Sequence, residues 1–534
     1  MDDASRAAWR RHLGEDRDVD ELRATLTDGT LAAAFAAVAR GRPDARALEI
    51  DGATATHGEL DERAGRVAGW LRSRSVQRGD RVLLCAPTSL DLVTAYLGTL
   101  RAGATAMPCD AALTASELEH LLRDGAPVAA FVAPAALERL EGAATGADAV
   151  RDVVAIGGEA DGVASLADAL DAQPRGPEPE PGPAMLAYTS GTTGRPKGVP
   201  LTHANVLSSM RAAMLAWRWS ADDVLVHALP LSHQHGLGGV HMTLLAGSRA
   251  VVSSRFDPGV LCAVVADAQA TVLMAVPAMY ERLDCWEGID GADLRSLRLA
   301  VSGSAALSPG LAERVRRWLG QLPLERYGST EAGLDISNPY DGPRRPGRVG
   351  WALPGVELRI DAPGGGGPVD AGEDGEILVR GPQVFEGYWQ QPDATEEALT
   401  PDGWFRTGDL GRVDPEDGSL EITGRSKELI ISGGLNVYPR EVEMVLEDHP
   451  AVAGVAVAGV PSERWGEEVV AFVVAEGDAG ELDGDALIAH CRERLSAYKC
   501  PKRVVALDEL PVNRMGKVRR DALVGMARDA ARPD

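Results

Sequence analysis

From Ala47 onward the chain alternates between two hydrophobic rhythms. Short apolar runs such as "RVLLCAP" (Arg81–Pro87) are followed by longer stretches such as "LDLVTAYLGTLRAG" (Leu90–Gly103), whose apolar positions recur at helical spacing. That alternation predicts strands and helices in turn, hence α/β layering around a parallel sheet. "DAQPRGPEPEPGPA" (Asp171–Ala184) interrupts the rhythm with proline, glycine and charge, and reads as a surface connector. "APGGGGPVDAGEDG" (Ala362–Gly375) reads as an exposed excursion between strands. Near residue 425 the pattern changes. "GSLEITGRSKELIISGGLNVYPREVEMVLEDHP" predicts strand, turn, strand, loop and helix, and "AVAGVAVAGV" and "EEVVAFVVAEG" follow as apolar strands. The expected fold is therefore a large, multi-subdomain N-terminal α/β domain over residues 31–425, followed by a small mobile α+β domain over 426–534. Residues 1–30 are charge-rich with no apolar face wide enough for a core, so a solvated helical arm is expected there.

Length and charge narrow the possible functions. A chain of 534 residues exceeds one hydrophobic core, which agrees with two or more domains. With 54 basic against 79 acidic residues the formal net charge is −25, which disfavours nucleic acid and anionic membrane surfaces as partners. No run approaches the roughly 18 apolar residues of a membrane helix. The N-terminus lacks a signal core, and the six cysteines have no metal spacing. A reduced, cytoplasmic protein is expected.

The most unusual stretch is "YTSGTTGRPKG" (Tyr188–Gly198), which follows an apolar strand and holds three glycines, four Ser/Thr hydroxyls and two cations. Glycines let backbone N–H groups approach phosphate oxygens, and hydroxyls and a lysine add donors and charge. The spacing is not that of a Walker loop. The loop resembles the phosphate loop of the adenylate-forming enzymes, the superfamily of acyl-CoA synthetases, adenylation domains and luciferases. "ERYGSTEAG", "GWFRTGDLG", "GRSKELIISGGLNVYPREVE" and "PVNRMGKVRRDAL" resemble that superfamily's later motifs, in order.

The resemblance implies a reaction of ATP with a carboxylic acid to give an acyl-adenylate, then transfer of the acyl group to coenzyme A. A carrier protein's phosphopantetheine is the alternative acceptor. It assigns nucleotide contacts to Thr189, Ser190, Gly191, Thr192, Thr193, Gly194, Lys197, Tyr327, Asp409 and Arg425. Tyr327 would offer a flat face to adenine, and Asp409 would accept both ribose hydroxyls. Thr330 and Glu331 fall to phosphate and Mg²⁺, and Lys517 to the catalytic cation that meets carboxylate and α-phosphate. Lys427 stands at the hinge position, and Ser432, Gly433 and Gly434 would line the pantetheine passage. His233 and His235 would edge the acyl pocket. Among pocket motifs the nearest resemblance is to the malonyl-CoA synthetase branch, which implies that Arg282, Ser304 and Arg326 hold a second carboxylate. Against that branch, Ser232 and Gln234 flank the histidines, Leu334 and Asp335 line the pocket wall, and Gly238 and Gly239 could open space. A bulkier acid therefore stays open.

Overall fold

The computed structural model describes residues 3–14, 19–144, 150–173, 176, 183–189, 196–362, 364–432, 435–462, 465–477, 482–512 and 517–529. Among these the strands form four sheets. A seven-stranded sheet is built on parallel neighbours such as Arg81–Cys85, Thr105–Cys109 and Ala129–Val132. It closes on an antiparallel hairpin, Pro183–Thr189 with Lys197–Thr202. A nine-stranded sheet runs parallel from Arg46–Ile50 through Val224–His227 to Leu324–Ser329, with antiparallel strands at both edges. These parallel strands are buried on both faces, which explains their uninterrupted apolar runs.

A four-stranded antiparallel sheet spans Glu357–Asp361 to Leu420–Arg425. One hydrophobic core takes Phe131 from the first sheet, Leu225 and Val301 from the second, and Ile377 and Phe405 from the third. The three sheets thus bury their inner faces together. After Arg425 comes a single 3₁₀ turn, Ser426–Glu428, and from Ile430 the strands belong to a separate five-stranded sheet with its own cores on both faces. The Ala362–Gly375 excursion does lie between two strands of the four-stranded sheet.

Local chemistry sets the element ends. Thr202 caps the helix His203–Ala216 and Asn205 returns a bond to the Thr202 N–H, a reciprocal pair that fixes the helix start. Gly103, at φ 81°, ends the helix Leu90–Ala102 in a left-handed turn. No helix among the described residues is long and apolar enough to cross a membrane.

The expectation of a solvated N-terminal arm is overturned. The helix Asp3–Leu13 packs onto the large domain, with Trp9 only 1% exposed and Leu26 likewise buried. Two large apolar side chains anchor a segment that is otherwise charged, Trp9 on that helix and Leu26 just after the helix Val19–Thr25. Composition averages such anchors away.

Candidate active site

The functional motifs converge where the three sheets of the large domain meet. Strand Pro183–Thr189 delivers the glycine-rich turn, and Thr189 pairs with Lys197 on the returning strand. Ser190, Gly191, Thr192, Thr193 and Gly194 lie outside the described residues. Lys197 sets its Nζ 4.6 Å over the Tyr388 ring. The Tyr388 hydroxyl in turn donates to Glu331 Oε1 at 2.9 Å. The carboxyl of Glu331 is held above the ordinary carboxylate range, first by burial and then despite that hydrogen bond. Beside it, the Thr330 carbonyl accepts from Gln234 Nε2 at 2.8 Å.

Tyr327 and Asp409 come from different sheets. The Tyr327 hydroxyl donates to Asp409 Oδ2 at 2.6 Å, and Arg425 forms an ion pair with it, Nε 3.1 Å from Oδ1. Each Asp409 oxygen therefore already has a partner, with lone-pair capacity left for further donors. Burial, followed by the Asp409 charge, pushes the Tyr327 phenol well up, so it stays a donor.

A third cluster surrounds Arg326, which is buried and has no partner for its Nε. Burial lowers its guanidinium to about 10, which leaves it a cation at neutral pH. His235 shares a hydrogen bond of 3.1 Å between Nδ1 and Ser304 Oγ, and its Nε2 is unpartnered. Burial, then Arg326 and His227, hold its imidazole well below the usual range. His227 was not singled out from the sequence. It ends an apolar strand, accepts from the Leu229 N–H at Nδ1 (3.1 Å), and leaves Nε2 without a partner, its imidazole lowered by burial to about 4. Because Nδ1 accepts, the neutral ring carries its hydrogen on Nε2. The available signal was a histidine closing the otherwise apolar "VLVHALP". Gly303 lies directly on the Arg326 guanidinium: an added Cβ would fall 2.3 Å from Nε.

Some expectations do not hold. Arg282 does not join this cluster. Its side chain is exposed and its guanidinium lies 4.7 Å over the Phe256 ring, because the helix Pro277–Asp284 presents it at the surface. Gly239 opens no space either, whereas Gly238 lines a small cavity beside Met210 and Gln234. A Cβ on Gly239 would lie 2.9 Å from Leu225 and 3.4 Å from His227, and one on Gly238 3.3 Å from the Met210 sulfur. Leu334 is buried, with its N–H donating to Ser209 Oγ, and Asp335 is fully buried against Gln383 Nε2 at 3.0 Å. His233 begins the helix Gln234–Ala246, and its imidazole is lowered by burial, with Asp110 raising and Lys517 lowering it.

The small domain contributes Lys517. Its ammonium is lowered first by burial and then by Arg425, while Asp409 and Glu331 raise it and Arg326 lowers it again. Lys517 is thus within electrostatic reach of all three clusters. Lys427 is exposed just after Arg425, and Ser432 is buried at the end of strand Ile430–Ser432. Gly433 and Gly434 lie outside the described residues.

An Asp–Arg–Tyr cluster, a lysine paired to the end of strand Pro183–Thr189 and a second lysine brought from the small domain make this a two-domain site. In accord with that geometry, residues 35–389 match the family model described as AMP-binding enzyme, and residues 441–517 match its C-terminal domain. The chain belongs to the AMP-binding enzyme family. It is 38% identical to a feruloyl-CoA synthase of an Amycolatopsis species over 90% of this chain and 95% of that one. It is 39% identical to the mitochondrial malonate–CoA ligase of Mus musculus over 64% of each. The crystal structure of ATP-bound MatB from Rhodopseudomonas palustris superposes with a TM-score of 0.88 at 38% identity, covering 94% of this chain and 100% of that one.

Proposed function

We propose that this chain is an AMP-forming acyl-CoA synthetase acting on a small acid with a second anionic or strongly accepting group, such as malonate. It is an acid–thiol ligase that uses ATP. The observation that carries the reading is Lys517, held by the small domain within reach of Asp409, Arg425, Glu331 and Arg326.

In the first half-reaction a substrate carboxylate oxygen attacks the α-phosphorus, the bond to the bridging oxygen breaks and pyrophosphate leaves. The chain supplies no nucleophile. Its work is positioning and charge stabilisation: Asp409 takes ribose hydroxyls, Arg425 orients Asp409, and Lys517 meets the carboxylate and α-phosphate together. Glu331 suits Mg²⁺, since a buried carboxyl whose ionisation burial opposes is one that a hard cation would stabilise. Bound there, the metal would neutralise charge on the phosphates. In the second half-reaction a thiolate attacks the acyl carbon and AMP departs. Coenzyme A is the acceptor in this reading, and a carrier's phosphopantetheine arm presents the same thiol.

Preference for a second acceptor group is supported by three buried nitrogen atoms that lack partners, Arg326 Nε, His235 Nε2 and His227 Nε2, with His235 held by Ser304 through its other nitrogen. Unpartnered buried donors favour a ligand that completes them and reject one that leaves them bare. A bulkier aromatic acid is supported by the likeness to feruloyl-CoA synthase, and the filled space at Gly239 counts against it. Acid-dependent pyrophosphate release across a panel of dicarboxylic, aliphatic and aromatic acids, with and without coenzyme A, tests the reading. Arg326→Leu should weaken a dicarboxylate selectively. Unchanged acid preference in that variant would remove the small-dicarboxylate reading.

A further inference from the structure

The N-terminal residues lie ahead of the family-model match, which begins at residue 35, and the reaction as described makes no use of them. They nevertheless grip three separate parts of the large domain. Trp9 Nε1 donates to the Val356 carbonyl at 2.9 Å, and Leu26 packs on Gly355, where a Cβ would lie 2.9 Å from its Cδ1. His12 Nε2 bonds the Trp351 carbonyl at 3.2 Å. Arg11 stacks 4.8 Å over the Trp351 ring and donates to the Asp417 carbonyl at 3.2 Å, which Trp351 Nε1 also contacts at 3.0 Å. From below, Arg211 on the helix His203–Ala216 donates to the carbonyls of Thr25, Leu26 and Asp28 at 2.9, 3.0 and 3.0 Å.

The gripped parts flank one seam. Trp351 lies on the edge strand of the nine-stranded sheet, two strands from Tyr327. Asp417 sits in the turn joining strands Phe405–Val413 and Leu420–Arg425, which carry Asp409 and Arg425. The hydrogen bond from Tyr327 to Asp409 crosses between these same two sheets. Helix His203–Ala216 also holds the Leu334 N–H through Ser209, and the Pro382 and Val384 carbonyls through Asn205.

We propose that residues 3–14 and 19–28 form a strap that positions the Asp409–Arg425 sheet against the nine-stranded sheet and thereby sets the enzyme's grip on the ribose of ATP. The proposal rests on the nucleotide role given to Asp409 above. The full-length protein is compared with Trp9→Ala and the milder, exposed Arg11→Ala. Hydrogen exchange is followed over residues 351–357 and 414–425, ATP binding by calorimetry, and KM for the acid by pyrophosphate release. Both variants should exchange faster in those segments, and Trp9→Ala should bind ATP on the order of tenfold more weakly with the acid KM little changed. Unchanged exchange in both variants overturns the strap. Faster exchange with ATP affinity intact overturns its link to the nucleotide. Wild-type protein that binds no ATP sinks the nucleotide reading and this proposal with it.

Discussion

Lys517 is the residue on which the chemistry turns. A partly desolvated ammonium that feels the cations Arg425 and Arg326 as well as the carboxyl groups Asp409 and Glu331 gains most when negative charge gathers beside it. Lys517→Ala should slow adenylate formation by about 10²–10³-fold, by analogy with losing one preorganised donor. Thioester formation from supplied acyl-adenylate should change far less, and single-turnover rates of the two half-reactions separate the effects. Equal losses in both would mean that Lys517 does not act in one step alone. At this scale the sequence was informative wherever a motif carried the residue: Asp409, Arg425, Tyr327 and Lys517 lie together. It misled at Arg282, because exposure and the nearby Phe256 ring are consequences of packing. It missed His227, a buried imidazole with a bare Nε2 that packs on Gly239 and acts on His235, eight residues along the chain.

At the level of elements, the turn after strand Leu299–Ser302 is shaped to admit Arg326. Gly303 packs on the guanidinium, and Ser304 follows at φ 71°, in the left-handed region, aiming its hydroxyl at His235. Gly303→Ala must push a buried arginine that has little room to swing. The acid KM should rise on the order of tenfold while the ATP KM stays near wild type. Steady-state kinetics with each substrate varied would show it, and parallel increases in both constants would mean that the turn shapes the whole site. Strands and helices of the α/β rhythm were legible because parallel strands buried on both faces leave continuous apolar runs. The N-terminal helix was not, since its docking depends on isolated anchors such as Trp9 and on carbonyls supplied by distant segments.

Across the whole molecule, buried ionisable groups link folding to pH. Glu325, behind Arg326 in the same strand, accepts from the Gly347 N–H at 3.0 Å and is pushed by burial from 4.5 up to about 8. The folded protein thus holds this proton more tightly than the unfolded chain. The resulting stabilisation is complete below pH 4.5 and is lost as the pH rises through about 8. Glu325→Gln keeps an acceptor for Gly347 without the titration, so its Tm should fall less than that of wild type as the pH rises from 4.5 to about 8. Identical pH profiles in thermal melts would show that Glu325 is not the group responsible. By itself the sequence determined the layered architecture, the adenylate-type motifs and their order, because hydrophobic periodicity and short motifs are local along the chain. Only the tertiary structure decided which cations converge, which glycines are filled by neighbours and what the first residues hold, since burial and desolvation are set by segments hundreds of positions apart.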